Sequence, residues 1–164
     1  MLPEDRVPGH HAGAIGTDLS ETDAVPHIAT PLGCTIVSVV GAHLTGQPLN
    51  HRLTSRGARL IKRTKTSAAY RLYALDGTVP PKPGLVREPR FSGPGIEVEV
   101  WAIPTQHFGG FVAEIQPPLC IGNIELANGS SVKGFLCEPF AIDRATEITH
   151  LGGWRAYLAL NSGP

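Results

Sequence analysis

Cys34-Thr35-Ile36-Val37-Ser38-Val39-Val40 runs directly into Gly41-Ala42-His43-Leu44. The first seven residues are β-branched or small and apolar at successive positions, as a strand covered on both faces requires. Gly41 then ends the run, so a buried central strand delivers its chain end into a tight turn. Downstream, Ile96-Glu97-Val98-Glu99-Val100-Trp101-Ala102-Ile103 alternates with period two. It predicts a half-buried strand with Ile96, Val98 and Val100 inward and Glu97, Glu99 and Trp101 on the other face, a solvated face being the default for the two glutamates and solvent being expected for at least one of them.

Other segments fill in around these two. Ala69 to Leu75 alternates in bulk and stops at Asp76-Gly77, a turn dipeptide. Pro80, Pro81 and Pro83 enforce an extended loop, since each lacks a donor and restricts the residue before it. Thr105 is the expected N-cap of a helix through His107, Phe108, Phe111, Val112 and Ile115, which Pro117 and Pro118 stop. Ile121 to Leu126 and Val132 to Cys137 flank Asn128-Gly129, a hairpin with a type I′ turn or a close variant. Thr149 can cap a last helix carrying Leu151, Trp154, Tyr157 and Leu158. Around Leu49 to Ile61 a short helical turn and the start of an extended segment mix. Antiparallel hairpins with short helices argue for an α+β fold, not a doubly wound sheet.

The 164 residues suit one core. With 14 Lys+Arg against 14 Asp+Glu the formal charge is zero, so no whole-molecule field draws nucleic acid or an anionic membrane. No apolar run approaches the roughly 18 residues of a membrane span, and Glu4, Asp5 and Arg6 do not open a signal peptide. Cys34, Cys120 and Cys137 are odd in number and widely spaced. They read as small buried residues in a reducing cytoplasm, with neither a disulfide framework nor a metal site. Residues 1–31 hold Pro3, Pro8, Pro26 and Pro31 without helical or strand periodicity, and are expected to form a flexible or extended arm. His10 and His11 in that arm lack the carboxylate or cysteine company of a metal site. Residues 32–164 make the domain.

Seven ordered blocks carry a resemblance: Val39-Val40-Gly41-Ala42-His43-Leu44, Pro48-Leu49-Asn50-His51, Tyr70-Arg71-Leu72-Tyr73-Ala74-Leu75, Pro83-Gly84-Leu85-Val86, Glu97-Val98-Glu99-Val100-Trp101, Val132-Lys133-Gly134-Phe135-Leu136-Cys137-Glu138 and Gly152-Gly153-Trp154-Arg155-Ala156-Tyr157-Leu158. Together they resemble the C-terminal domain of allophanate hydrolase over Thr35 to Leu160, standing here without its amidase partner. The resemblance implies a fold similar to gamma-glutamylcyclotransferases: a small curved mixed sheet or barrel with short helices and a ligand cavity after the first strand. It implies decarboxylation of the carboxylated nitrogen product that the amidase leaves behind. It implies no amidase activity, because 164 residues cannot also hold that domain. Ser130-Ser131 with Lys133 echoes an amidase triad but follows Asn128-Gly129, where small polar residues serve a turn.

Gly41-Ala42-His43 is the expected site, with Gly41 and Ala42 offering backbone N–H groups to a carboxylate and Leu44 completing the turn. Decarboxylation needs a proton donor more than a nucleophile. His43 is the first candidate, because imidazole titrates near neutrality and an anionic substrate can hold it protonated; a loop histidine bonding backbone is the other reading. Asn50 and His51 are further candidates for the same cavity, or a polar pair starting a surface helix. Tyr70 and Tyr73, three apart, point to opposite faces, so at most one lines a cavity; Tyr73 is the candidate. Lys133 is a candidate carboxylate anchor, on the face opposite Glu138. A cyclotransferase glutamate would fall near Glu114, where Ile115-Gln116-Pro117 breaks the pattern, and the Tyr-Gly-Ser-Leu turn is here Val40-Gly41-Ala42-His43-Leu44.

Three functions follow: a decarboxylase of a carboxylated urea or carbamate, a non-enzymatic ligand-binding or assembly module for a separately encoded amidase, and a gamma-glutamyl cyclotransferase. The expected partners are a small carboxylate-bearing substrate and a separate amidase, with a homodimer left open. No cofactor or metal is implied.

Overall fold

A computed structural model describes residues 28–162. The expected arm, His10 and His11 included, lies outside the described residues except at its end, where Ile28 packs against the core. Strand β1 (Cys34–Val39) is the expected buried strand, and β5 (Glu97–Pro104) is the alternating one. They pair antiparallel, with Val37 opposite Trp101 and Val39 opposite Glu99. The larger sheet has the order β2-β5-β1-β7-β6, with β2 at Arg59–Lys65, β6 at Leu119–Glu125 and β7 at Ser131–Cys137. All its neighbours run antiparallel except β1 and β7, which are parallel. A second sheet of β3 (Tyr70–Ala74), β4 (Pro83–Arg87) and β8 (Thr146–Glu147) has the order β4-β3-β8.

The expected α+β class holds, as a curved sheet and not a closed barrel. The two edge strands of the larger sheet meet only at one end, where Thr66 bridges Leu126, Ser67 N–H donates to the Glu125 carbonyl and Ala127 N–H to that of Lys65. That pinch satisfies backbone groups that an open edge would leave to solvent. Tyr70 reinforces it from the second sheet: its ring is fully buried and its hydroxyl oxygen accepts from Glu125 N–H at 2.8 Å.

Three α-helices among the described residues complete the frame: α1 (His51–Thr54), α2 (Thr105–Ala113) and α3 (Trp154–Asn161). Two expected caps are corrected. β5 runs without a loop into α2, so Pro104 precedes the helix, and Thr105 instead bonds Thr35 through their hydroxyls at 2.8 Å. Thr149 opens a separate 3-10 turn (Thr149–Leu151), where its hydroxyl accepts from Leu72 N–H, and Gly153 precedes α3. The Asn128-Gly129 hairpin forms, but only Gly129 has a positive φ, 89°, so its turn is not type I′, which needs both central residues there. Ser130 is buried and turns both its N–H and hydroxyl to Asn128 Oδ1, the turn role expected of it. The proline run is loop only up to Lys82, since Pro83 opens β4 at its first position, where no ladder donor is lost.

The largest departure concerns the polar face of β5. Glu97 is exposed as expected, but Glu99 is fully buried beside Trp101. Helix α3 and the loop after β1 cover that face and bring donors. Glu99 Oε1 accepts from Thr45 N–H at 2.8 Å, Thr45 Oγ1 at 3.0 Å and Trp101 Nε1 at 3.2 Å; Oε2 accepts from Arg155 at 3.1 Å and Arg63 at 3.2 Å. Burial alone would push the Glu99 carboxyl up, and the hydrogen bonds from Thr45, Trp101 and Arg155 bring it below its ordinary value.

Glu99→Gln keeps the shape but loses the charge, and is expected to cost about 2 kcal/mol in urea unfolding, the scale of a charge-assisted hydrogen bond. Because the folded carboxyl titrates below its unfolded value, its contribution is present above pH ~4.3 and lost as pH falls through the folded value. The variant should lose that acid-side slope; an unchanged unfolding midpoint would contradict the assignment.

Candidate functional site

The chain leaving β1 turns sharply. Leu44 N–H donates to the Gly41 carbonyl at 3.0 Å, Leu49 N–H to that of Ala42 at 2.8 Å, and Asn50 Nδ2 to that of His43 at 2.9 Å. Together with Thr45 on Glu99, these bonds fix the His43 backbone from both sides. Gly41 is required by proximity: a Cβ there would lie 2.2 Å from Pro83 Cδ, at the head of β4. Its φ is not in the left-handed region.

His43 is buried between two aromatic rings, stacked on Phe135 at 4.7 Å and edge-on to Phe111 at 5.4 Å. Beside it a cavity of about 100 Å³ is walled by Arg52, Lys82, Glu114, Gln116 and the apolar Leu49, Val79, Ile115, Leu119 and Phe135. A second hollow of about 10 Å³, room for about one water, adjoins Gly41, Ala42, His43 and Lys82. Each charged wall residue comes from a different element. Arg52 lies on α1, the turn that Asn50 begins; Lys82 ends the loop between β3 and β4; Glu114 is the C-cap of α2.

The electrostatics follow from burial and from this pairing. Glu114 takes a two-pronged contact from Arg56, at 3.0 and 2.9 Å, and lies 3.6 Å from Arg52. The Arg56 hydrogen bonds hold its carboxyl below the usual range, so it stands ionised and occupied. That is poor chemistry for a cyclotransferase base. His43 is lowered from 6.5 to about 4 by burial, and further by the nearby charges of Arg52 and Lys82. The expectation that His43 titrates near neutrality is thus corrected: burial and the two cations keep its imidazole neutral at pH 7. Lys82 is also lowered, by burial and then by Arg52.

Of the expected site residues, His43, Gly41 and Ala42 come together at the cavity. Leu44 points into the core at 1% exposure. Asn50 acts on the His43 carbonyl, and His51 is exposed with Nδ1 3.0 Å from the Pro48 carbonyl oxygen. Tyr73 pairs with Gly84 and Glu147 in the second sheet, and Lys133 is exposed on β7 with Nζ donating to Asn123 at 2.9 Å. Neither lines the cavity. Sequence reasoning missed Arg52 and Lys82. The available signal for Lys82 was its setting, a lone lysine in Pro80-Pro81-Lys82-Pro83, where the backbone is stiff and a side chain is held in place.

A family model for the allophanate hydrolase C-terminal domain matches residues 35–159. The chain belongs to this family. It is 42% identical over 127 residues to the urea amidolyase of Saccharomyces cerevisiae and 39% identical over 146 residues to that of Lachancea kluyveri, matching 76% and 87% of this chain. The matched part is 7% of each relative's length. Among solved structures, Kluyveromyces lactis allophanate hydrolase superposes with a TM-score of 0.76 at 40% identity, covering 79% of this chain and 22% of that one. An uropathogenic E. coli-specific protein superposes with a TM-score of 0.71 at 32% identity, covering 77% of this chain and 96% of that one. The allophanate hydrolase C-terminal domain thus occurs both within long enzymes and as nearly the whole of a short chain. In this one, no helix among the described residues is long and apolar enough to cross a membrane, and the described residues hold no cluster of three His, Cys, Asp or Glu that could bind a metal ion.

A histidine buried neutral binds fewer protons folded than unfolded, so stability should rise with pH between about 4 and 6.5. His43→Phe is expected to flatten that rise, worth about 3 kcal/mol in the wild type, in urea unfolding series across the window. A slope that persists in the variant would contradict the buried, neutral state.

Proposed function

We propose that this domain serves urea and allophanate metabolism by binding a small carboxylated urea or carbamate in the His43 cavity and promoting its decarboxylation. The observation that carries the reading is the meeting of two cations, Arg52 and Lys82, with the face of a buried neutral imidazole in a cavity of about 100 Å³. Two cations against one carboxylate already neutralised by Arg56 leave the walls short of negative charge. A small carboxylate supplies it.

The reaction demands fit the walls. Departing carbon dioxide is uncharged, so the step is helped where the departing carboxylate is poorly solvated. Leu49, Ile115, Leu119 and Phe135 provide such a face. Arg52 and Lys82 hold the anionic end, and His43 faces the nitrogen with a ring whose charge depends on the occupant: an anion alongside offsets the repulsion from Arg52 and Lys82 and raises its proton affinity. An amidase step would feed this site.

The test supplies purified protein with allophanate and an isolated allophanate-cleaving amidase and follows carbon dioxide release. Release faster than the spontaneous rate is expected, with Arg52→Ala and His43→Ala each reducing the excess at least tenfold. An unchanged rate with and without the protein would remove the decarboxylase reading. Retained co-purification with the amidase in that case would assign the domain to assembly, and ring closure of gamma-glutamyl dipeptides would assign it to cyclisation.

A further inference from the structure

Cleavage of an N-carboxylate leaves an electron pair on nitrogen, and some group must supply the proton that this nitrogen takes. Four ionisable side chains wall the cavity: His43 from the turn after β1, Arg52 from α1, Glu114 from the end of α2 and Lys82 from the β3–β4 loop. Glu114 is bound by both Arg56 and Arg52, so its carboxylate is spent on ion pairs. Arg52 does not release protons in a protein. His43 lies between Phe111 and Phe135 with Arg52 and Lys82 facing it and His51 adding a weaker like charge, an environment that opposes an imidazolium.

Lys82 differs from all three. Among the described residues its ammonium reaches the Val79 and Pro80 carbonyls, at 3.5 and 3.4 Å, long contacts that leave donors for an occupant. It is half-buried and borders both hollows, the roomy one and the small one beneath Gly41 and Ala42. The backbone around it is fixed: Lys82 N–H donates to Thr78 Oγ1 at 2.8 Å, its carbonyl accepts from Leu75 N–H, and Pro83 starts β4 against Gly41.

We propose that Lys82 is the proton donor of the decarboxylation, with His43 orienting the substrate from the side of its anionic end; this rests on the reading given under Proposed function. The Lys82 ammonium passes a proton to the lone pair of the carboxylated nitrogen. The C–N bond then breaks with its electron pair going to that nitrogen, carbon dioxide leaves uncharged, and the neutral Lys82 amine regains a proton from water. Burial and the Arg52 charge lower the lysine's proton affinity, which favours the transfer.

The experiment uses the same allophanate and amidase supply and compares wild type, Lys82→Arg and Lys82→Ala over a pH series. Lys82→Arg keeps the cation but cannot give up its proton, so a fall in kcat of about 100-fold or more is expected, with KM changed little. Lys82→Ala should lose kcat and raise KM, and added methylammonium should restore part of its rate. The wild-type rate should fall on the alkaline side with a midpoint below that of an ordinary lysine, and this limb should vanish in Lys82→Arg. Wild-type kcat retained in Lys82→Arg, or a limb unchanged in that variant while the wild type still accelerates release, overturns the role of Lys82 alone. Wild-type release at the spontaneous rate overturns the decarboxylase reading and this one with it.

Discussion

Five donors converge on the carboxylate of Glu99, from the loop after β1, from β2, from β5 itself and from α3. A buried carboxylate is costly unless its lone pairs are filled, and here each donor is also a tether. Arg155 of α3 reaches both Glu99 and the Thr45 carbonyl, so one guanidinium fastens the last helix to the loop that carries His43. Arg63 sits directly opposite Glu99 in the β2–β5 register, which ties an edge strand to the same point. The turn from Gly41 to Asn50 therefore has one end in the central strand and its middle held by Glu99. Its far end is fixed by Asn50 on the His43 carbonyl. Without that clamp the imidazole would have a hydrophobic seat in Phe111 and Phe135 but no fixed backbone to deliver it there.

The cavity follows from how the second sheet docks on this frame. Pro83 of β4 packs where any side chain at residue 41 would be, and Gly84 lies against Cys137 of β7. That contact sets the β3–β4 loop, and Lys82 with it, over the end of β1. Helix α2 grows directly out of β5 and ends at Glu114, so the carboxylate that neutralises Arg56 and touches Arg52 is positioned by the sheet as well. A site whose cations come from α1 and the β3–β4 loop, and whose histidine comes from the β1 turn, exists only when both sheets are assembled.

Much of the frame was legible in the sequence because its signals are local. β1, β5 and the two hairpins each carry apolar patterning with a turn dipeptide or glycine beside them, and the helix after β5 has its stripe and its proline stop. His43 was legible for the same reason, as the titratable residue next to a glycine at a buried strand's end. Burial of Glu99 was not, since alternation says which residues share a face and not what covers that face; the cover here is α3, more than fifty residues on. Arg52 and Lys82 were missed because each becomes a site residue only through the packing of distant segments. Lys133 and Tyr73 were chosen from blocks of resemblance, yet their strands turn them away from the cavity. The neutral state of His43 was likewise out of reach, because it depends on the two rings and two cations that tertiary contact brings in.

The proposed function turns on one coupling, in which a small carboxylate in the cavity and the charge of His43 would control each other. The most direct measurement is the 15N shift of the His43 imidazole at pH 6 while acetate is added at constant ionic strength set with chloride. A saturating move from the neutral toward the imidazolium shift is expected, lost in Arg52→Ala. An imidazole that stays neutral up to saturating acetate, or one that responds equally when Arg52 is gone, would contradict it.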